Sequence, residues 1–206
     1  MENNQAFEHL QVIRTLMERS ALYRRALAPI MTFAGTLGLF AAAVGWWAVI
    51  ESVRGFVGFW LAVSLVGAAG ALLVVRRQAL RAAESFWSPP TRRIAQAALP
   101  ALIAGLSLGV FFWIWINDEF VAPLLVLWPV LYGCALHSAG FFASRGLRAL
   151  GWIYILAGLV LLLAMPILEF VPECRQCHLL MGVLFGALQL AAGIYLYFTE
   201  RPAAQP

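Results

Sequence analysis

The chain has 206 residues, 63% of them hydrophobic and only 12% charged, with a formal net charge of +4. That charged share is about half of what soluble domains carry, which excludes an ordinary soluble domain and points to a membrane protein. Every basic residue is an arginine, and the arginines sort by segment instead of forming one patch, so the positive charge does not imply a nucleic-acid partner.

Residues 1–28 mix acids and arginines, and Phe7, Leu10, Ile13 and Met17 recur at helical spacing. This predicts an amphipathic interfacial helix on the cytoplasmic membrane surface, with Arg14, Arg19, Arg24 and Arg25 near lipid headgroups. The mixed charges, and the length of the apolar run that follows, argue against a cleavable signal peptide.

Residues 29–200 form a predicted transmembrane domain and 201–206 a short cytoplasmic tail. Six charge-free runs lie within or at the edge of the domain: 26–50, 55–75, 94–116, 120–144, 149–168 and 179–199. A helix needs about 20 residues to cross a hydrocarbon core about 30 Å thick, and none of these runs alternates as a barrel strand would. The predicted fold is all-α and transmembrane, a six-helix bundle.

The stretch Arg76–Arg93 carries five arginines and one acid between two long runs. With the N-terminus inside, the cytoplasmic segments hold twelve arginines and the outer ones only Arg54 and Arg175. That bias predicts a membrane protein with both termini cytoplasmic. Trp46, Trp47, Trp60, Trp113, Trp115 and Phe120 then fall at outer ends of spans, and Phe86, Trp87, Trp152, Tyr195 and Tyr197 toward inner ends, as aromatic belts do. Pro29 and Pro123 suit first turns. Pro100 and Pro129 are expected to kink or loosen their spans. Ser88-Pro89-Pro90 stops a helix inside the basic loop.

The dipeptide Ala-Gly occurs once per span, with its glycines at Gly35, Gly70, Gly105, Gly140, Gly158 and Gly193. Taken in pairs these are each 35 residues apart, which predicts three copies of one helical hairpin. All six fall on the cytoplasmic half of their spans, predicting a tight helix-packing layer there and a wider outer half.

Chemistry concentrates in Cys174-Arg175-Gln176-Cys177-His178, assigned to the outer loop 169–178. Cys-x-x-Cys-His is the attachment pattern of haem c, with two thioether bonds and an iron ligand, and the topology sets it on the required periplasmic or extracellular side. The same residues also suit a structural disulfide or idle thiols, a catalytic dithiol, or a metal site completed by Glu169 or Glu173. His137 is the other candidate. An ionisable group at membrane depth is a functional candidate by default, and the competing reading is a neutral imidazole bonded to a neighbouring helix, with Gln189 as partner. No Walker motif, nucleophile elbow, zinc-protease motif or dinucleotide fingerprint is present.

Residues Ile13–Ser20, Phe86–Arg93, Leu131–Gly133 and Leu150-Gly151 resemble a loose group of uncharacterised bacterial six-span integral membrane proteins. The resemblance implies a six-span body in the lipid of a bacterial inner membrane and carries over no functional residues. Three readings of function follow. The leading one is a non-enzymatic structural or regulatory membrane component with no cofactor, pairing with other membrane subunits or with itself. The second is an electron-transfer or thiol-redox subunit using Cys174, Cys177 and His178. The third is a small-molecule transporter.

Overall fold

The computed structural model describes residues 27–81, 87–115, 121–169 and 172–199, and among these all regular structure is helical. The predicted surface helix, all but its last two residues, and the C-terminal tail lie outside the described residues. The elements are α1 (Leu27–Trp47), α2 (Val53–Arg81), α3 (Pro89–Trp115), α4 (Ala122–Gly140) and α5 (Arg145–Ile167). The sixth span is composite: α6 (Cys174–Met181), a π-helical segment Gly182–Leu188, and α7 (Gln189–Thr199). Among the described residues, six helices are long and apolar enough to cross a membrane.

Local chemistry sets several boundaries. Ser144 starts α5, its hydroxyl oxygen accepting from the Leu147 backbone N–H at 3.2 Å. Ser88 precedes Pro89, and its carbonyl accepts from Arg92 N–H at 3.1 Å, so proline occupies a first-turn position where it removes no helical bond. α2 runs well past its apolar run because arginine is a good helix former; its 29 residues span about 43 Å, more than the hydrocarbon core needs. Pro100, Pro129 and Pro166 lie inside continuous helices.

Two close helix pairs dominate the packing. The first is α4 with α5, antiparallel across the short turn 141–144. A Cβ on Gly133 would fall 2.6 Å from the Gly151 carbonyl, and one on Gly158 would fall 2.8 Å from the Val126 carbonyl. Only glycine lets the two backbones come this near. The second pair is α1 with the sixth span. There Gly193 faces Thr32, Gly35 faces Leu190, Gly186 faces Leu39, Gly182 faces Ala42, and Gly45 faces His178. Neither pair is among the three expected hairpins, α1 with α2, α3 with α4 and α5 with the sixth span; of those three, α3 and α4 do pack closely, Trp128 Nε1–H donating to the Gly105 carbonyl at 3.0 Å.

The Ala-Gly glycines divide accordingly. Gly35, Gly140, Gly158 and Gly193 sit at backbone contacts. Gly70 meets only the Phe33 ring, and a Cβ on Gly105 would find nothing nearer than 3.9 Å. The tight packing also runs the whole length of α1, down to Gly45, so it is not confined to one half. Two buried apolar clusters mirror this. One gathers Leu27, Met31, Leu150, Tyr154 and Leu196, and the other Phe56, Trp60, Leu124, Cys177 and Met181.

Candidate functional site

The Cys-x-x-Cys-His motif is helical, not a loop. Glu173 is the N-cap of α6: the Gln176 side-chain oxygen accepts from its backbone N–H at 3.2 Å, and its carbonyl accepts from Cys177 N–H at 2.9 Å. Glu-x-x-Gln after a proline is a helix-start signal, and it begins the sixth span at Cys174. Helical pitch then separates the three residues. Cys174 is half-buried, while Cys177 and His178 are fully enclosed by protein.

His178 forms a polar knot among three spans. Trp60 Nε1–H, from α2, donates to His178 Nδ1 at 3.1 Å. Indole nitrogen only donates, so Nδ1 is the bare nitrogen of the ring and the proton sits on Nε2. Nε2–H donates to the Ile50 carbonyl at 3.2 Å, in the turn between α1 and α2. That carbonyl follows Val49, a β-branched residue in the left-handed region with φ 52°. The edges of Phe56 and Phe59 close over the ring, at centroid distances of 4.9 and 5.6 Å. On the far side, a Cβ on Gly45 would coincide with the imidazole. Trp60, expected in an aromatic belt, is instead 4% exposed and serves as the donor in this knot. Trp47 and Trp115 do lie at the bundle surface. Arg175, between the cysteines, stacks over Trp46 with its guanidinium 4.1 Å from the ring centroid.

This geometry can be set against what covalent haem requires. Covalent haem needs a histidine nitrogen with a free lone pair facing open space, and two thiols beside it. Here one nitrogen lacks a lone pair and the other accepts from Trp60, and the ring is walled in by aromatic side chains. Cys177 is equally enclosed, its thiol lying 3.6 Å from the Pro172 carbonyl. The residues do not fit a c-type haem. No disulfide joins Cys174 to Cys177, so of the two structural alternatives, a disulfide or idle thiols, the disulfide is not formed. Among the described residues no cluster of three or more metal-ligating side chains occurs, which leaves Glu169 and Glu173 without a ligand set to complete.

The predicted His137–Gln189 pair is not formed. His137 lies near the α4–α5 turn, where its Nδ1 reaches the Arg148 carbonyl at a long 3.5 Å and its ring meets Phe141 and Trp152 edge-on. Gln189 is buried in a second knot. Tyr154 Oη–H, from α5, points at two acceptors, the Leu184 carbonyl at 2.8 Å and Gln189 Oε1 at 2.9 Å. Gln189 Nε2–H donates to Tyr132 Oη, from α4, at 2.7 Å. Leu184 belongs to the π-helical segment, where the widened turn leaves its carbonyl open to a side-chain donor. The two tyrosine rings and Phe185 pack edge to face around this centre.

Sequence reasoning missed Tyr132, Tyr154 and Trp60. Their partners lie 30 to 118 residues away, so no local pattern marks them. Gly182-x-x-x-Gly186, by contrast, is a legible close-packing signal. Comparison of the chain with protein-family models, with curated proteins and with solved structures finds no match.

Proposed function

We propose that the chain is a non-catalytic component of the bacterial inner membrane, structural or regulatory, working through other membrane subunits or copies of itself. One observation carries the reading: among the described residues, the buried polar side chains bond to one another and to backbone. His178, Trp60, Gln189, Tyr132 and Tyr154 fix helix positions in this way. Catalysis or proton transfer needs at least one such group facing a substrate or a water path. The spans α2 and α3 are buried over only 11% of their apolar windows, which supports their use as association surfaces. In this reading the arginine-rich ends face the cytoplasm and the His178 end faces outward.

Cys174 and Cys177, two cysteines one turn apart and outside any disulfide, favour a second reading as an outer-face dithiol. One experiment separates the two. The purified chain is expected to show its unmodified mass and no haem absorption. In whole cells an impermeant thiol reagent should label Cys174, and Cys177 should react only after denaturation. A haem-sized mass increase, or a Cys174–Cys177 disulfide that interconverts with redox poise in native membranes, would overturn the scaffold reading. Labelling of Cys174 only in inverted vesicles would reverse the orientation.

A further inference from the structure

At the end of the bundle opposite His178 lies a cleft of about 610 Å³ between the α4–α5 turn and the last turns of α7. Its polar wall is Arg145, Arg148, Ser144, Tyr195 and Thr199. No acid among the described residues pairs with either arginine. Arg148 is held in place. Its aliphatic stem lies against Gly140, where a Cβ would strike it, and its guanidinium sits 5.0 Å from the Phe141 ring centroid. The Thr199 hydroxyl donates to the Tyr195 carbonyl at 2.8 Å, whereas the Tyr195 hydroxyl has no partner among the described residues. The Ser144 oxygen accepts from Leu147 N–H, which leaves its own proton free to donate. Two guanidinium groups and two hydroxyl donors thus line one open space, and no acid is among its described lining residues.

We propose that this cleft binds the phosphate of an anionic phospholipid headgroup. Guanidinium matches phosphate oxygens in a planar fork, and basic pockets between helix ends are how membrane proteins hold such headgroups. Depth selects lipid over soluble phosphate. The lining comes from the ends of three spans, where headgroups lie, and Phe142, Trp152 and Ile194, near it in sequence, are exposed apolar side chains that acyl chains can cover. The neighbouring Ala-Gly pair in α4 gains a purpose here: Gly140 lets Arg148 lie flat beneath the headgroup.

The test is native mass spectrometry of the full chain released from nanodiscs of phosphatidylglycerol or of phosphatidylcholine. Wild type is expected to retain phosphatidylglycerol in preference to phosphatidylcholine. The Arg145→Gln/Arg148→Gln variant should lose that preference by about tenfold or more, since each arginine near a headgroup contributes on the order of a fivefold factor. Arg76→Gln/Arg77→Gln removes equal charge outside the cleft and should retain lipid as wild type does. Gly146→Glu guards against failed folding, because its Cβ would meet only ordinary contacts, at 3.4 Å from Leu196 and 3.9 Å from Ser144. That variant sets a carboxylate beside the cleft and should also lose the preference. Undiminished retention in the folded cleft variants, or equal loss in the Arg76/Arg77 control, overturns the site. If excess inorganic phosphate displaces the lipid and stabilises the protein as well as the lipid does, the site takes free phosphate and the lipid assignment fails.

Discussion

Gly45 and Gly105 should respond in opposite ways to the same added methyl group. A Cβ on Gly45 would occupy the space of the His178 imidazole, a fully buried ring that also packs against Phe56 and Phe59. The ring must move, and both of its hydrogen bonds, to Trp60 and to Ile50, must lengthen. Interhelical bonds in membranes contribute on average about 0.6 kcal/mol each, reaching about 1.7 kcal/mol. Overpacking a filled core adds about 1–3 kcal/mol. With up to about 1 kcal/mol of alanine's better helix propensity set against these losses, Gly45→Ala should destabilise by about 2–3 kcal/mol in total. Gly105→Ala adds its methyl where the nearest atoms lie at 3.9 Å, an ordinary contact. Alanine is about 1 kcal/mol better than glycine in a helix interior, so this variant should be neutral or stabilised by up to about 1 kcal/mol. The Ala-Gly repeat gives the reverse order, since it marks Gly105 as a packing residue and passes over Gly45. The assay is equilibrium unfolding of both variants by SDS in mixed micelles, followed by circular dichroism. Equal losses in the two, or a Gly45→Ala protein within about 0.5 kcal/mol of wild type, would refute the enclosed-histidine geometry.

Tyr154→Phe deprives the Leu184 carbonyl and Gln189 Oε1 of their donor, and should cost about 1–2 kcal/mol on the same assay. A double-mutant cycle with Gln189→Leu should then show a coupling of about 0.6–1.7 kcal/mol, and strict additivity would count against the knot. Val49→Gly acts on the turn that presents the Ile50 carbonyl. It relieves about 1–2 kcal/mol of left-handed strain, and the freer unfolded chain returns about 0.4–1 kcal/mol of that. The exposed Val49 side chain gives up little burial, so unfolding should shift toward greater stability by up to about 1 kcal/mol, and a clear loss would refute the strain.

The part of this structure that hydropathy controls is legible in the sequence. Charge-free runs mark the six spans because each helix is specified by what it excludes, and their positions match the helices closely. The ends are less legible. α2 continues through Arg76, Arg77 and Arg81, since charge bars a residue from the hydrocarbon but not from a helix. The placement of Cys174–His178 was recoverable, because Pro172, Glu173 and Gln176 announce a helix start, but a familiar haem pattern at the same residues outweighs that signal when spacing alone is weighed. The pairing of helices is a different matter. A period of 35 residues matches Gly35 to Gly70, yet Gly35 packs on Leu190. Small residues say that backbones approach, and are silent about which backbones.

The two knots together account for the π-helical segment between them. His178 and Gln189 are 11 residues apart, which in a regular α-helix places them within about 20° of one another on the same face. They do not share a face. His178 turns toward Trp60 in α2 and the end of α1, whereas Gln189 turns toward Tyr132 in α4 and Tyr154 in α5. Each extra residue accommodated by a widened turn offsets the following helix by about 100°, and the segment Gly182–Leu188 supplies that offset. Gly182 and Gly186 keep the widened backbone thin enough to stay against Ala42 and Leu39 of α1. The carbonyl opened by the irregularity, that of Leu184, is taken up by the tyrosine that also holds Gln189. A sixth span of uniform α-helix could satisfy either knot but not both, so its irregularity is what lets one helix be fixed to four others.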